Sequence, residues 1–144
     1  MKIRVWCVAL LLGIFAAGCA ATGRAAPVNQ RQPSRSPDGQ YVLTVPVAGN
    51  AAGHETWQVT ISDPDGNELY RDVDSEFVGN LNVYWIWDDA NRVWLYSSDT
   101  GAVYYWEMQN GNWVKTKWGC DELCRADTPT PPDELYPEYA GSKK

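Results

Sequence analysis

The stretch "NVYWIWDDANRVWLY", residues 82–96, decides the fold. Two runs of β-branched and aromatic residues flank a short polar segment, which is the pattern of two strands joined by a tight turn. Successive side chains of a strand point to opposite faces of the sheet. Tyr84 and Trp85 therefore project from opposite faces, so both faces of this hairpin carry aromatic side chains. The stretch predicts a β-sheet with two apolar faces, each of which needs a cover.

Turn signals also alternate with strand-like runs through the middle of the chain. The turn signals "SPDGQ", "DPDGN", "SDTG" and "QNGN" separate short runs rich in Val, Ile, Thr, Tyr and Trp. These signals predict an all-β domain over residues 37–124, an antiparallel meander that forms a two-layer sandwich with blade-like hairpins. The seven expected strands are Gln40 to Val47, Glu55 to Ser62, Glu68 to Val73, Asn82 to Trp87, Arg92 to Ser97, Ala102 to Gln109 and Asn112 to Trp118.

Turn lengths assign the side chains to faces. A three-residue loop at 64–66 pairs Ile61 with Leu69 and Val59 with Arg71, which gives the first sheet one apolar face. In the second half, three-residue loops at 89–91 and 99–101 and a two-residue turn at 110–111 predict two apolar faces. The aliphatic-rich face comprises Val83, Trp85, Trp87, Val93, Leu95, Val103, Tyr105, Val114 and Trp118. The aromatic face comprises Tyr84, Ile86, Trp94, Tyr96, Tyr104, Trp106, Met108, Trp113, Lys115 and Lys117.

The aliphatic-rich face is expected to pack on the first sheet, which leaves the aromatic face open to two interpretations. In the structural one, the C-terminal tail, the loop 47–54 or a second copy of the chain covers it. In the functional one, it is a platform on which ring-shaped ligands stack, and envelope polysaccharide or peptidoglycan is the expected ligand. The candidate binding residues are Tyr84, Trp94, Tyr96, Tyr104, Trp106, Trp113, Lys115 and Lys117.

The N-terminus has the layout of a secretory signal peptide. The basic start "MKIR" precedes the apolar stretch "VWCVALLLGIFAAGC", which ends in small residues. An uncleaved anchor helix is the alternative, since the stretch is near the lower length limit for a membrane span. The sequence thus predicts an exported protein.

The end of this stretch, "AAGC" at 16–19, resembles the lipobox of bacterial lipoproteins, although Ala16 stands where that family usually has Leu. The resemblance implies that residues 1–18 are a signal peptide and that Cys19 carries the lipid, which anchors the protein to a membrane without a spanning segment. Ala20 follows, and not the Asp that tends to signal inner-membrane retention. The expected location is the cell envelope, and the outer membrane in a Gram-negative cell.

Both flanks of the predicted domain have the composition of linkers. Residues 19–36 are small and polar with two prolines, which predicts a flexible tether with a reach on the order of 60 Å. Residues 125–144 are rich in Pro and acidic side chains and are expected to form a loosely ordered tail, whose "ELYPEY" segment can lie on the domain surface.

Two stretches, "SPDGQYVLTV" and "DPDGNELYRD", resemble the turn-plus-strand repeats of β-propeller blades of the TolB or WD type. The resemblance covers a small part of the chain, which has room for at most two four-stranded blades. Because a propeller closes only with several blades, a complete one would require several chains.

The charge balance excludes one class of partner. The chain has 12 basic and 18 acidic residues, and removal of Lys2 and Arg4 with the signal peptide leaves 10 basic residues and a net charge of −8. Nucleic-acid binding needs clustered Lys and Arg, so we expect none. The lipid alone is then expected to hold the protein at the membrane.

Few residues suggest a reaction. Cys120 and Cys124 are expected to form a disulfide in an exported chain, since a zinc site would need a second pair of ligands. His54 lies in a Gly-rich loop with no nucleophile placed beside it by any motif. No metal, cofactor or nucleotide site is predicted.

The sequence therefore predicts a lipid-anchored envelope protein that acts through binding and not through catalysis. Two alternatives remain open. One is an inhibitor or immunity-type lipoprotein that blocks an envelope protein, with a one-to-one partner. The other is a hydrolase that uses the carboxylates of Asp72, Asp74 or Glu76.

Overall fold

The computed structural model describes residues 26–27, 32–75, 77–79, 82–119 and 128–136. The prediction of an all-β fold is confirmed, because these residues form twelve strands and a single 3-10 turn, η1. The strands are β1 Ala26–Pro27, β2 Ser34–Arg35, β3 Val42–Thr44, β4 Val47–Ala51, β5 His54–Trp57, β6 Thr60–Ser62, β7 Glu68–Arg71, β8 Phe77–Val78, β9 Val83–Trp87, β10 Val93–Ser97, β11 Ala102–Gln109 and β12 Asn112–Trp118, and η1 is Asp133–Leu135.

The strands form three antiparallel sheets. The large sheet has the order β1-β9-β10-β11-β12, a four-stranded sheet has the order β2-β3-β6-β7, and a small sheet has the order β4-β5-β8. The predicted first strand is divided at Val45 and Pro46 into β3 and β4, which lie in different sheets. Pro46 has no N–H to donate to a ladder, so this is a natural place for the chain to change sheets.

The main core lies between the large sheet and the four-stranded sheet, as in a two-layer sandwich. Apolar side chains of both sheets meet there and are almost completely buried. Its buried members are Leu43, Val45, Trp57, Val59, Ile61, Val83, Trp85, Trp87, Val93, Leu95, Trp106 and Trp113.

The predicted faces of β11 and β12 are wrong, because the loop after β10 has four residues. Ser97 pairs with Ala102, and the Gly101 N–H donates to the Ser97 carbonyl at 2.8 Å. A change of one residue in register turns every following side chain to the opposite face. Trp106 and Trp113 therefore enter the main core, whereas Val103 and Tyr105 join Trp94 on the other side. The observed register buries the two large indoles, which stabilises the core more than the smaller side chains would.

The outer face of the large sheet is covered by the segment 128–136, from within the predicted tail. Leu135 is fully buried there, and the indole N–H of Trp118 donates to the Pro129 carbonyl at 2.9 Å. Tyr136 lies edge-on to Tyr96 with 4.9 Å between the ring centroids. This second core comprises Ile86, Trp94, Tyr96, Val103, Tyr105 and Leu135.

The hairpin β6–β7 departs from its predicted pairing by one residue. The three-residue loop is confirmed, since Asp63 N–H donates to the Asn67 carbonyl at 3.0 Å. Beyond Ser62 and Glu68, however, Ile61 pairs with Tyr70 and not with Leu69, and Thr60 rather than Val59 pairs with Arg71. Leu69 is the extra residue of a β-bulge and is 48% exposed. The bulge turns the Tyr70 ring toward the main core, which it contacts.

Ordered structure also begins earlier than residue 37. β1 and β2 lie within the predicted tether, and β1 adds an edge strand to the large sheet by pairing with β9. In the part of the chain that the structure describes, no helix is long and apolar enough to cross a membrane.

Candidate functional site

The eight predicted ligand-binding residues do not share one surface. Tyr84, Trp94 and Tyr96 belong to the outer face under residues 128–136. The other five belong to the inner face, where strand pairing aligns Tyr104 with Lys117 and Trp106 with Lys115. Burial is greatest for four of them: Trp94 0% exposed, Trp106 0%, Trp113 7% and Tyr96 8%. A ligand cannot stack on these four rings without displacing part of the domain.

Lys115 lies in a box of aromatic rings. Its Nζ is 4.9 Å from the ring centroid of Tyr104, 5.2 Å from Trp106 and 5.7 Å from Phe77. The same Nζ donates to Asp72 Oδ2 at 2.7 Å and hydrogen-bonds Ser75 Oγ. Ring faces attract an ammonium group, and a carboxylate does so more strongly. The box thus joins β12 to the segment that follows β7.

The contacts of Ser75, Lys115 and Asp72 have the order of a nucleophile, a base and an orienting acid. The Lys115 side chain is however fixed on all sides, by the Asp72 carboxylate and by the three rings. The geometry therefore supports a structural clamp between layers, with Asp72 only 1% exposed.

Asp72 also affects its neighbour Tyr70. Burial and the negative charge of Asp72 raise the pKa of the Tyr70 hydroxyl above its usual value of 10.0. Of the carboxylates considered for hydrolysis, Asp72 is held by Lys115, Asp74 is exposed, and Glu76 lies outside the described residues. Asp72 and Asp74 thus have different surroundings, since Asp72 is deeply buried and Asp74 is exposed to solvent.

A polar cleft of about 240 Å³ is a candidate ligand site in the described part of the chain. It lies where the turn after β2, the turn between β9 and β10, and the end of β11 meet. Its lining residues are Asp38, Gln40, Tyr41, Ala90, Asn91, Arg92, Glu107 and Met108.

The first wall of the cleft is a Pro-Asp-Gly turn that fixes Asp38. The Gly39 N–H donates to the Ser36 carbonyl at 2.9 Å, and Gly39 has a φ of 75°, which glycine adopts readily. Asp38 Oδ1 accepts from Ser36 Oγ at 2.6 Å and from the Gln40 N–H at 2.9 Å. The carboxylate is thereby held in one orientation at the rim.

The second wall is the turn of the β9–β10 hairpin, which holds Arg92. Asp88 Oδ2 accepts from Arg92 Nε at 2.7 Å and from the buried Trp94 indole at 2.8 Å. Glu107 Oε2 lies 4.0 Å from Arg92 Nη1. The two turns are linked, because the Asp38 N–H donates to Asn91 Oδ1 at 3.2 Å. Arg92 is therefore positioned from two sides and keeps part of its guanidinium exposed to the cleft.

Tyr41 adds an aromatic wall whose ring is held by the main core. It stacks on Trp87 with 6.5 Å between the centroids and meets Trp113 edge-on at 5.0 Å. Met108 is partly exposed beside the cleft and adds an apolar contact. A rigid ring with one side toward a polar cleft offers stacking area at little cost in side-chain entropy.

The polar groups that line the cleft are of the kinds that hydrogen-bond hydroxyl groups. Carboxylate, carboxamide and guanidinium groups each offer two adjacent donors or acceptors, which matches neighbouring hydroxyls on one ring. Sequence reasoning missed this site, although it identified both turns. Asp38 and Asn91 are 53 residues apart, and only the packing of the two sheets brings them together.

The remaining predicted sites carry less information. Cys19, Cys120 and Cys124 lie outside the described residues, so their lipidation and pairing stay predictions. His54 is exposed near the tip of the hairpin β4–β5. Within residues 32–75, 77–79, 82–119 and 128–136, no three His, Cys, Asp or Glu side chains come together in a group that could hold a metal ion.

The chain matches no known protein family, no curated protein and no solved structure. The resemblances to bacterial lipoproteins and to propeller blades therefore remain predictions from the sequence.

Proposed function

We propose that the protein is a lipid-anchored component of the bacterial cell envelope that binds envelope saccharide in the cleft beside Tyr41 and Arg92. It acts by binding and not by catalysis. The saccharide is a polysaccharide of the envelope or the glycan of peptidoglycan. In a Gram-negative cell we expect the protein at the outer membrane.

One observation carries the proposal. Planar polar side chains from two turns are fixed by hydrogen bonds around the exposed side of the Tyr41 ring, as Asp38 is by Ser36 and Arg92 is by Asp88. Fixed donors and acceptors favour binding, because little side-chain freedom is lost when the ligand arrives. The eight aromatic and lysine residues considered first are less suited to this role, since they divide between the outer face under residues 128–136 and the inner face that packs into the main core.

The anchor is tested in cells that express the full chain. We expect Cys19→Ser to remove the lipid attachment site and either release the protein from the membrane fraction or leave it uncleaved. A Cys19→Ser protein with unchanged size and fractionation would rule out lipidation at this residue. Labelling with a fatty-acid analogue provides a second readout of the same step.

Saccharide binding is tested with the purified full chain and solubilised envelope glycan. Gln40 is exposed and lines the cleft, so Gln40→Ala should weaken binding roughly two- to tenfold, the effect of one lost hydrogen bond. Gln32→Ala is the matched control, since Gln32 is exposed outside the cleft. An equal loss of glycan affinity in both variants would contradict the proposal, and so would the absence of glycan binding by the unaltered chain.

A second candidate function is inhibition of an envelope protein. All five residues of β4 are exposed, as are His54 and Glu55 of β5, and β4 is an edge of its sheet. A projecting hairpin with an exposed edge can add a strand to a partner or enter its active site. This function predicts a one-to-one protein complex that survives Gln40→Ala and is lost when residues 48–53 are replaced by a short Asn-Gly turn.

A further inference from the structure

The lining of the cleft has more acidic than basic side chains. Asp38 and Glu107 carry negative charge at neutral pH, whereas Arg92 is the only basic residue of the lining. Just behind Arg92, Asp88 adds a further carboxylate at 2.7 Å from Nε. The site therefore has an excess of negative charge, in a chain whose net charge is already −6.

The guanidinium of Arg92 is largely compensated within the protein. Asp88 accepts from its Nε, and Glu107 lies 4.0 Å from Nη1. An anionic ligand would gain little from a cation that two carboxylates already neutralise, and it would be repelled by Asp38. The cleft thus disfavours carboxylate- and phosphate-bearing saccharides.

Asp38, in contrast, is well placed to accept from a cation. Its Oδ1 accepts from Ser36 Oγ and from the Gln40 N–H, while the residue as a whole remains exposed. A carboxylate that is already oriented forms a charge-assisted hydrogen bond without losing further side-chain freedom. The neighbouring Tyr41 ring and the amides of Gln40 and Asn91 would contact the sugar ring that carries the cation.

Building on the proposed function, we infer that the cleft selects saccharides that carry a protonated amino group. The ligand class is the free amino sugar, such as a residue of the envelope glycan that has lost its N-acetyl group, whose ammonium group pairs with Asp38 while its ring lies against Tyr41. N-acetylation would remove the positive charge and enlarge the substituent. Acidic sugars would meet the carboxylates of the site.

Calorimetric titration of the purified full chain with three disaccharides tests this inference. They consist of glucosamine, of N-acetylglucosamine and of galacturonic acid, each measured at a mildly acidic pH at which the amine is protonated. Because a charge-assisted hydrogen bond contributes more than a neutral one, we expect the glucosamine disaccharide to bind at least about tenfold more tightly than either of the others. Disaccharides are chosen because a long cationic oligomer would bind any acidic surface.

A matched pair of variants locates the selectivity. Asp38→Asn keeps an oxygen that can accept from Ser36 and Gln40 but removes the charge, so it should abolish the preference for glucosamine. Asp65→Asn removes one charge from the equivalent Pro-Asp-Gly turn at 64–66, outside the cleft, and should leave the preference unchanged. Glu107→Gln is a second cleft variant that should reduce the preference.

The outcomes separate this inference from the proposed function. The N-acetylated or the acidic disaccharide could bind tightly, and Gln40→Ala could weaken that binding. This result would overturn the selectivity for amines but would leave the proposed saccharide site intact. The glucosamine disaccharide could also bind preferentially in a way that Asp38→Asn and Asp65→Asn weaken equally. This result would overturn the selectivity of the cleft, since nonspecific attraction to an acidic protein would then explain the preference. Binding of the dipeptide Ala-Lys in preference to all three sugars, or of none of these ligands, would contradict the saccharide site itself.

Discussion

Asp88 is the residue on which one wall of the cleft depends. Its carboxylate accepts from the N–H groups of Ala90 and Arg92, from Arg92 Nε and from the Trp94 indole. Trp94 is fully buried, so its indole has no access to water if this acceptor is lost. The residue therefore links the stability of the outer core to the position of Arg92.

Replacing Asp88 by Asn should destabilise the domain. Oδ2 accepts from both Arg92 Nε and the Trp94 indole, whereas Oδ1 accepts from the backbone N–H groups of Ala90 and Arg92. The NH₂ group of Asn would replace one of these oxygens, so one of the two pairs of donors would face a donor in either orientation of the amide. We expect the free energy of unfolding to fall by about 1–3 kcal/mol, as for other buried donors left without a partner. Urea denaturation measures the change, and Asp89→Asn, at an exposed turn position, is the control. Equal stability of the two variants would contradict this role.

Tyr70 predicts how stability responds to alkaline pH. Burial and the charge of Asp72 raise its pKa in the folded state above the unfolded value of 10.0. Below pH 10 both states keep the proton, so this group does not change the stability. Above pH 10 the unfolded chain loses the proton first, and stability falls as the pH rises toward the folded pKa. Tyr70→Phe should make the alkaline decline in unfolding free energy shallower, and an unchanged slope would contradict the raised pKa.

At the scale of strands and turns, loop length decides which face each side chain occupies. The loop 98–101 has four residues, and it is this length that sends Trp106 and Trp113 into the main core. Deleting Thr100 forces either a strained loop or a one-residue shift of β11 and β12. We expect a loss of at least about 3 kcal/mol in unfolding free energy, since large core side chains would lose their sites.

A glycine inserted between Ala52 and Gly53 is the control for that deletion. It also changes a hairpin turn by one residue, but β4 is exposed along its whole length. The cost of lengthening an exposed loop is small, so we expect a loss below about 1 kcal/mol. Denaturation of both variants should give clearly different midpoints, and similar midpoints would show that register is not what the four-residue loop determines.

Some turn lengths follow from the sequence alone. The loops at 64–66 and 89–91 and the turn at 110–111 were predicted correctly, because Gly66, Asn91 and Asn110 adopt positive φ where such residues are expected. The signal "SDTG" fits a loop of three residues as well as one of four. Burial of the indoles selects between them, and that is a property of the folded sheets and not of the local sequence.

The candidate site was beyond sequence reasoning for a related reason. The turn signal places Asp38 in a turn, as the structure does, whereas the strand predicted to begin at Arg92 begins one residue later, at Val93. Their proximity depends on how the four-stranded sheet packs against the large one. A pattern in one chain segment carries no information on such packing, so the cleft emerged only from the fold.

At the scale of the whole molecule, the segment 128–136 completes the domain. Leu135 is fully buried against the outer face, and η1 positions it there. Leu135→Ala should lower the free energy of unfolding by about 2–5 kcal/mol, the usual cost of such a cavity. Glu134→Ala, at an exposed position of the same turn, should have a small effect. A hydrophobic dye that binds exposed apolar surface provides a second measurement. If Leu135→Ala changed neither the dye binding nor the stability, the segment would not protect this face.

The position of β1 bears on how far the domain can stand from the membrane. Its pairing with β9 leaves seven residue steps between Cys19 and Ala26. At about 3.4 Å per residue this length spans at most roughly 24 Å, well below the reach expected of a free tether over 19–36. If Cys19 carries the proposed lipid, the domain is held close to the bilayer surface.

The most direct test of the proposed saccharide site is a nuclear magnetic resonance titration of the full chain with solubilised cell-wall glycan from which part of the N-acetyl groups has been removed. The side-chain N–H signals of Gln40, Asn91 and Arg92 report on the cleft, and the indole signals of Trp94 and Trp106 report on the two cores. We predict that the cleft signals shift and saturate as glycan is added, while the indole signals stay in place and exchange slowly with water. Indole signals that exchange quickly and shift while the cleft signals do not, or a titration that moves neither set, would contradict a saccharide site in the cleft.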